Sequence, residues 1–413
     1  MNCSKFIGSV LIVIGTTIGA GILGLPLVGA PVGCLFATGV LIVIWALMTI
    51  TGLLVLEVNL ALEASACSFS SMAEKMLGRL GKIIAWLSCL LLLYSLTAAY
   101  ISGASSLLRD FFHFYFSIEV PSFINAVLFV LVLGGAVFWG TRTADFLNRG
   151  LISIKGVLLF ITVGLLMPYM DLAPTIVSGF TTGNRYLFAV FPIFICAFGY
   201  HTVIPSIRIY FGAKPKELRS IIVLGTTISL IIYIIWLWTI LNIVPLTGEN
   251  SFEQIFNQKS SVGGLMVAVT TIVDNKWVTH GLRGFSNIAM TTSFLGVTLG
   301  LFDFIADGFK RSDTCFGRLQ TAGLTFIPPL IFAVCFPQGF ILALSYAAIF
   351  VTMLEVILPA LMVYKLRYAN DVGKQLLYRV FGGKWLLFVV TIIGIFLVTL
   401  QILISLHILP TVM

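Results

Sequence analysis

Two stretches apolar enough and long enough to cross a membrane are each interrupted by glycine and then closed by proline. They are Gly15-Thr16-Thr17-Ile18-Gly19-Ala20-Gly21-Ile22-Leu23-Gly24-Leu25-Pro26 and Phe198-Gly199-Tyr200-His201-Thr202-Val203-Ile204-Pro205. In hydrocarbon an unpaired backbone N–H or C=O is costly, so irregular backbone persists there only where it lines a cavity or meets a ligand. Two broken membrane helices in one chain therefore point to a transporter, with the breaks marking the substrate site.

The membrane assignment rests on composition. Of the 413 residues 59% are hydrophobic and 10% charged, with a mean hydropathy of +1.09, which excludes an ordinary soluble domain. A helix needs roughly 20 apolar residues to cross about 30 Å of hydrocarbon. On that scale Phe6 to Leu56 holds two spans, split near Pro26 to Gly33. Single spans follow at Ile83–Leu108, Val120–Thr141, Leu151–Met170, Tyr186–Ile207, Ser220–Asn242 and Gly284–Phe302. Leu319–Tyr364 holds two more, divided at Phe336-Pro337-Gln338-Gly339, and Trp385–Ile408 is the last, so an all-α polytopic protein of 11 membrane helices is expected.

An odd number of spans puts the termini on opposite sides. With Lys5 in the cytoplasm, only Arg109, Arg185, Lys259, Lys276 and Arg283 of the 24 lysines and arginines fall outside, which obeys the positive-inside rule. The net charge of +8 is then a topology signal and gives no reason to expect nucleic acid. The expected location is a bacterial inner membrane, N-terminus cytoplasmic and C-terminus periplasmic. The first apolar stretch is too long for a signal peptide of about 7–15 apolar residues and has no clear cleavage site. The seven cysteines are scattered without a C-x-x-C pair, so they read as apolar packing residues and not as disulfides or a zinc site.

The first break enters from one face and the second, four spans later, from the other. Spans 1–5 (residues 1–170) and spans 6–10 (171–365) are thereby expected to form a five-plus-five inverted repeat, LeuT-like, each half led by its broken helix, numbers 1 and 6. Span 11, with the basic linker before it (366–413), stands outside the repeat. The longest external loop, Val244 to His280, is expected to hold a short surface helix near Ser251–Gln258, and Tyr368–Lys384 reads as a basic segment at the membrane surface.

Four blocks carry a family resemblance: Gly19 to Pro26, Leu56-Glu57-Val58-Asn59-Leu60, Phe198 to Ser206, and Thr292 to Asp303. In this order and at these spans the chain resembles, over essentially its whole length, the bacterial hydroxy and aromatic amino acid permeases, in particular their tyrosine/tryptophan branch. The resemblance implies an amino acid:proton symporter of the inner membrane that takes tyrosine first and tryptophan next, with no cofactor, and a monomer is expected.

The residues themselves suit a zwitterion. Around Thr17 and Ile18, the freed N–H groups of Gly19, Ala20 and Gly21 sit at a half-helix N-terminus whose partial positive charge favours a carboxylate. Freed carbonyls near Phe198 and Gly199 are acceptors for an ammonium group. Close helix packing is the ordinary use of such glycines, but the following prolines favour breaking. Tyr94, Ser95, Thr97 and Tyr100 of span 3, with Phe198 and Tyr200, offer faces for an aromatic ring.

Ion coupling has few candidates, because a charge at mid-membrane costs at least about 2.5–3.5 kcal/mol on insertion scales. Lys155 lies about six residues into span 5, roughly 9 Å along its axis at about 1.5 Å per residue. It resembles a lysine that some proton-coupled members of the wider superfamily place where sodium-coupled relatives bind a cation. There, near Thr292 and Ser293, an ammonium group would stand in for sodium; snorkelling toward the cytoplasm is the alternative. His201, inside the second break, carries a proton, bonds the substrate or caps freed carbonyls. Glu57 and Glu355 lie toward the cytoplasmic ends of spans 2 and 10, where pairing with lysine or arginine would explain them, and Asp303 reads as interfacial. The sequence carries no recognised channel filter, and its four histidines lack metal-ligand spacing, so neither a channel nor a membrane enzyme is expected. Sodium coupling, or a non-transporting sensor on the same fold, remains the alternative.

Overall fold

The computed structural model describes residues 3–63, 68–139, 141–171, 186–257, 261–311, 314–369, 377–406 and 408–409. Cys67, Arg185, Lys259 and, within the basic stretch 368–384, residues 370–376 lie outside the described residues. Ten helices are long and apolar enough to cross a membrane, and the pair Ser4–Thr17 and Ala20–Val32, bent by 44° at its break, makes eleven when taken as one span. In chain order this pair is span 1, followed by Cys34–Ala61, Phe69–Phe116, Ser122–Trp139, Gly150–Tyr169, Val190–Phe211, Pro215–Leu241, Lys276–Gly308, Cys315–Cys335, Phe340–Tyr368 and Gly383–Ser405 as spans 2 to 11.

Where boundaries differ from the sequence reading, charge is the cause. Span 8 starts at Lys276, ahead of the expected Gly284, because Arg283 is buried against Asp110 and a paired charge need not end a helix. The helix that becomes span 3 starts at Phe69 and turns at Gly78, whose φ of +74° is open only to glycine at low cost. Gly33, at φ +80°, makes the corresponding turn between spans 1 and 2. In the long external loop, Phe252–Asn257 is helical where a surface helix was expected, although Gln258 lies outside the described residues, and a second helix, Val262–Val273, follows.

The packing has an internal exchange rule. Span 5 lies along span 8 and span 10 along span 3; span 1 packs on span 7 and span 6 on span 2. Replacing each span by the one five places away converts the first member of each couple into the second, as a five-plus-five inverted repeat requires. Small residues permit the closest approaches. A Cβ on Gly225 of span 7 would lie 2.6 Å from Val13 of span 1, and one on Gly103 of span 3 would lie 2.5 Å from Met290 of span 8.

Spans 3 and 8 are also joined by charge. The Arg283 guanidinium donates from Nε to Asp110 Oδ2 at 2.8 Å and from Nη2 to Oδ1 at 3.1 Å, and lies 3.7 Å from the centre of the Phe114 ring. Removing one partner of such a buried pair strands the other, at a cost of about 3–5 kcal/mol. Arg283→Met is therefore expected to lower the thermal midpoint of the purified protein, and Asp110→Leu combined with Arg283→Met to restore most of the loss.

Candidate functional site

Three helices that begin outside the breaks are capped by their own side chains. Ser261 accepts from the Gly264 N–H, Asn275 from those of Trp277 and Val278, and Thr314 from that of Gly317. The helical segments that restart inside the bundle, after Gly19 and after Tyr200, have no such cap. Their backbone groups are met instead by side chains from other spans, and those side chains define the site.

At the first break, the Ser293 hydroxyl of span 8 accepts from the Ala20 N–H at 2.7 Å, which is a cap supplied in trans. Gly19 N–H turns back to the Thr17 carbonyl at 2.9 Å. Lys155 of span 5 is buried and donates from Nζ to the Ile18 carbonyl at 2.7 Å, so its ammonium group reaches into the bundle and does not snorkel. Lys155, Ile18, Ala20 and Ser293 thus meet at one point. Thr292 does not share it directly, since its hydroxyl donates to the Ala289 carbonyl of its own helix.

At the second break, Val190–Ala197 ends and a short 3-10 turn, His201–Val203, leads into Ile204–Phe211. His201 is fully buried, with Nδ1 2.7 Å from Glu355 Oε2 of span 10 and Nε2 2.8 Å from the Thr51 hydroxyl of span 2. Glu355 sits in a π-helical bulge, Thr352–Ile357, of the kind that often marks functional positions. A Cβ on Gly199 would lie 3.8 Å from its carboxylate. Tyr200 rests against the His201 ring and donates to the Met48 carbonyl at 3.1 Å, over Gly52, where any Cβ would come within 2.1 Å of the phenol oxygen.

One residue joins the two breaks. The hydroxyl of Tyr233, on span 7, lies 2.6 Å from the Thr17 carbonyl and 2.7 Å from the Ala197 carbonyl, the ends of the first half-helices of spans 1 and 6. A phenol has one proton, so it serves one carbonyl at a time. Phe198 packs edge-on against its ring, with centroids 5.2 Å apart. Gly21 faces Ala197, whose Cα would lie 3.6 Å from a Cβ at position 21. Gly19, Gly21 and Gly199 remain part-exposed while Ile18, Ala20, Phe198 and Tyr200 beside them are buried. Glycine backbone is therefore part of the accessible surface at the breaks, with the exposed Thr16 and Thr202 beside it.

Several expectations need correction. Tyr94 does not face the breaks; its hydroxyl donates to the Leu324 carbonyl of span 9 at 2.8 Å. Tyr100, two helical turns further on, is the span 3 aromatic at the site, its oxygen 3.9 Å from where a Gly19 side chain would start. Glu57, by contrast, has the arginine partner expected of it: Arg367 donates from Nε and Nη2 at 2.6 Å each, and the Val380 N–H adds a bond at 2.8 Å. Glu355, expected to pair with lysine or arginine, pairs with His201. The N–H groups of Gly19 and Ala20 are not free donors for a carboxylate but are already satisfied within the chain, because leaving them bare inside the bundle is costly. Tyr233 escaped the sequence reading altogether; a buried tyrosine in an apolar span has no signature until its acceptors are in place.

The two ends of the bundle differ. On the face that carries the N-terminus, Arg208 at the end of span 6 donates to the Asn59 carbonyl and, at 2.9 Å, to the Leu62 carbonyl at the end of span 2, beside the Glu57–Arg367 pair. On the opposite face a cavity of about 1220 Å³ lies among Ser106, Asp110, Ser122, Gln254, Gly263 and Gln338.

A family model for the tryptophan/tyrosine permease family matches residues 2–401. The chain is 36% identical to tyrosine-specific transport system 1 of Haemophilus influenzae, covering 99% of each chain, and 34% identical to the tryptophan-specific transport protein of Pseudomonas aeruginosa, covering 98% of this chain and 96% of that one. Among solved structures it is similar to the manganese transporter of Eremococcus coleocola, with a TM-score of 0.59 at 14% identity over 97% of this chain and 86% of the other.

The geometry has two direct consequences. Gly21→Ala fits beside Ala197, whereas Gly21→Leu is expected to abolish uptake while inserting normally; wild-type uptake by the leucine variant would remove the site. Tyr233→Phe leaves the Thr17 and Ala197 carbonyls without their shared donor, at a cost of about 1–3 kcal/mol. It should lower both thermal stability and uptake.

Proposed function

Because the chain belongs to the tryptophan/tyrosine permease family, we propose that it imports an aromatic amino acid, tyrosine first and tryptophan next, with protons and by alternating access. It is a transporter and not an enzyme. The observation that carries the reading is that two backbone breaks, on spans 1 and 6, meet inside the bundle with their glycines accessible and their ends joined by Tyr233. Backbone amides at one break and carbonyls at the other recognise a carboxylate and an ammonium group. Substrate binding then exchanges the internal bonds of Gly19 and Ala20 for bonds to the carboxylate. Phe198, Tyr100 and Tyr233 supply the faces for an aromatic side chain.

Lys155 supports proton over sodium coupling. Its ammonium group on the Ile18 carbonyl fills the place at which a bound cation would hold the first break. In this reading residues 1–170 and 171–365 are the two inverted units, and residues 366–413 add span 11. The protein lies in the bacterial inner membrane with the N-terminus in the cytoplasm and the C-terminus in the periplasm, as the basic residues require. Both breaks belong to one chain, so a monomer suffices.

Uptake of labelled tyrosine into proteoliposomes tests this directly. Saturable accumulation should follow an imposed pH gradient and ignore a sodium gradient, and Lys155→Met should abolish it. Accumulation that tracks sodium would overturn the coupling, and binding without flux would favour a sensor.

A further inference from the structure

We infer that the transported proton is carried by the Glu355–His201 pair, with the Thr51 hydroxyl as the rotor that accommodates it. The inference rests on the symport reading above and locates its proton.

The contacts around His201 allow two arrangements. In the first, the Thr51 hydroxyl donates to Nε2, a neutral imidazole sets Nδ1 against the Glu355 carboxylate, and the group carries one net negative charge. In the second, a proton occupies Nε2, the imidazolium donates to Thr51 from Nε2 and pairs by charge with Glu355 through Nδ1, and the group is neutral. The Thr51 hydroxyl then needs another acceptor, and the Met48 carbonyl is 3.2 Å away. Adding a proton therefore requires only that one hydroxyl rotate, with the 2.8 Å and 2.7 Å contacts of the ring retained. The proton comes from water on one face, binds a nitrogen lone pair and leaves to water on the other; no other bond forms or breaks.

Burial sets the direction. His201 and Glu355 are 0% and 2% exposed, so the negative arrangement is a nearly solvent-free carboxylate held by one imidazole. A carboxylate held without water is costly, and the neutral arrangement removes that charge without moving the ring. Among the described residues the ion pair of Glu355 is with His201, and Cys196 and Tyr200 of span 6 and Cys89 of span 3 feel its charge. Position links the load to the substrate. His201 starts the turn that follows Gly199, and the Glu355 carboxylate lies against Gly199 itself. The proton thus closes the same backbone that is proposed to hold the ammonium group, while Lys155 holds the Ile18 carbonyl at the other break.

Glu355→Gln keeps the shape but removes the charge that draws a proton to His201. Two measurements apply to it: tyrosine exchange between the two sides of proteoliposomes, and proton uptake reported by an indicator dye when tyrosine is added to weakly buffered, purified protein. Wild type should take up a proton on binding and accumulate tyrosine along a pH gradient. The variant should bind and exchange tyrosine, take up no proton, and lose gradient-driven accumulation. A variant that binds tyrosine and still takes up the proton would overturn the inference while leaving symport intact. Loss of binding as well would overturn it in favour of a purely structural pair. If wild-type uptake itself ignored the pH gradient, the symport reading would fall first.

Discussion

Backbone polar groups released inside a membrane must find partners, and this single requirement organises the protein. Spans 1 and 6 stop and restart within the bundle, and neighbouring spans answer each released group: Ser293 at Ala20, Lys155 at Ile18, Tyr233 at Thr17 and Ala197. Three of the polar side chains that these spans carry are thus committed to backbone. What stays accessible includes the glycine backbone itself, which is the surface a zwitterion needs. A packed helix would have left nothing to bind, and an unsupported break would not have been stable.

The same accounting separates holding from moving. Side chains from spans 5 and 8 reach the first break, and those from spans 2 and 10 reach the second, so each broken helix is gripped by helices of both repeat halves. The charged contacts at the N-terminal face, Arg208 on the end of span 2 and Arg367 on Glu57, tie the bundle there. The cavity lies at the other face. Both faces are held by buried charge, since Asp110 with its partner Arg283 lines the cavity, and it is the cavity that distinguishes them.

Most of the fold was legible in the sequence because hydropathy acts span by span, and each long apolar run has one way to satisfy its backbone in lipid. The breaks were legible too, since glycine before proline weakens a helix wherever it stands. Lys155 and His201 stood out as ionisable groups at depth. Partnership was not legible. Glu57 and Glu355 look alike in sequence, each an acid in an apolar run, yet one is locked by Arg367 and the other touches His201. Which happens depends on helix rotation and on the π-helical bulge at Thr352–Ile357, which shifts register by a fraction of a turn without a local sequence mark. Tyr94 and Tyr100 were confused for the same reason: six residues apart on one helix, they point to opposite partners, Leu324 and Gly19.

The central claim is that backbone at the two breaks reads both ends of an amino acid. Competition against labelled tyrosine by two truncated analogues addresses it most directly: tyramine, which lacks the carboxylate, and 3-(4-hydroxyphenyl)propionate, which lacks the ammonium group. Neither should compete at concentrations where unlabelled tyrosine competes fully. Effective competition by either analogue would mean that the ring alone is recognised, and would contradict the account.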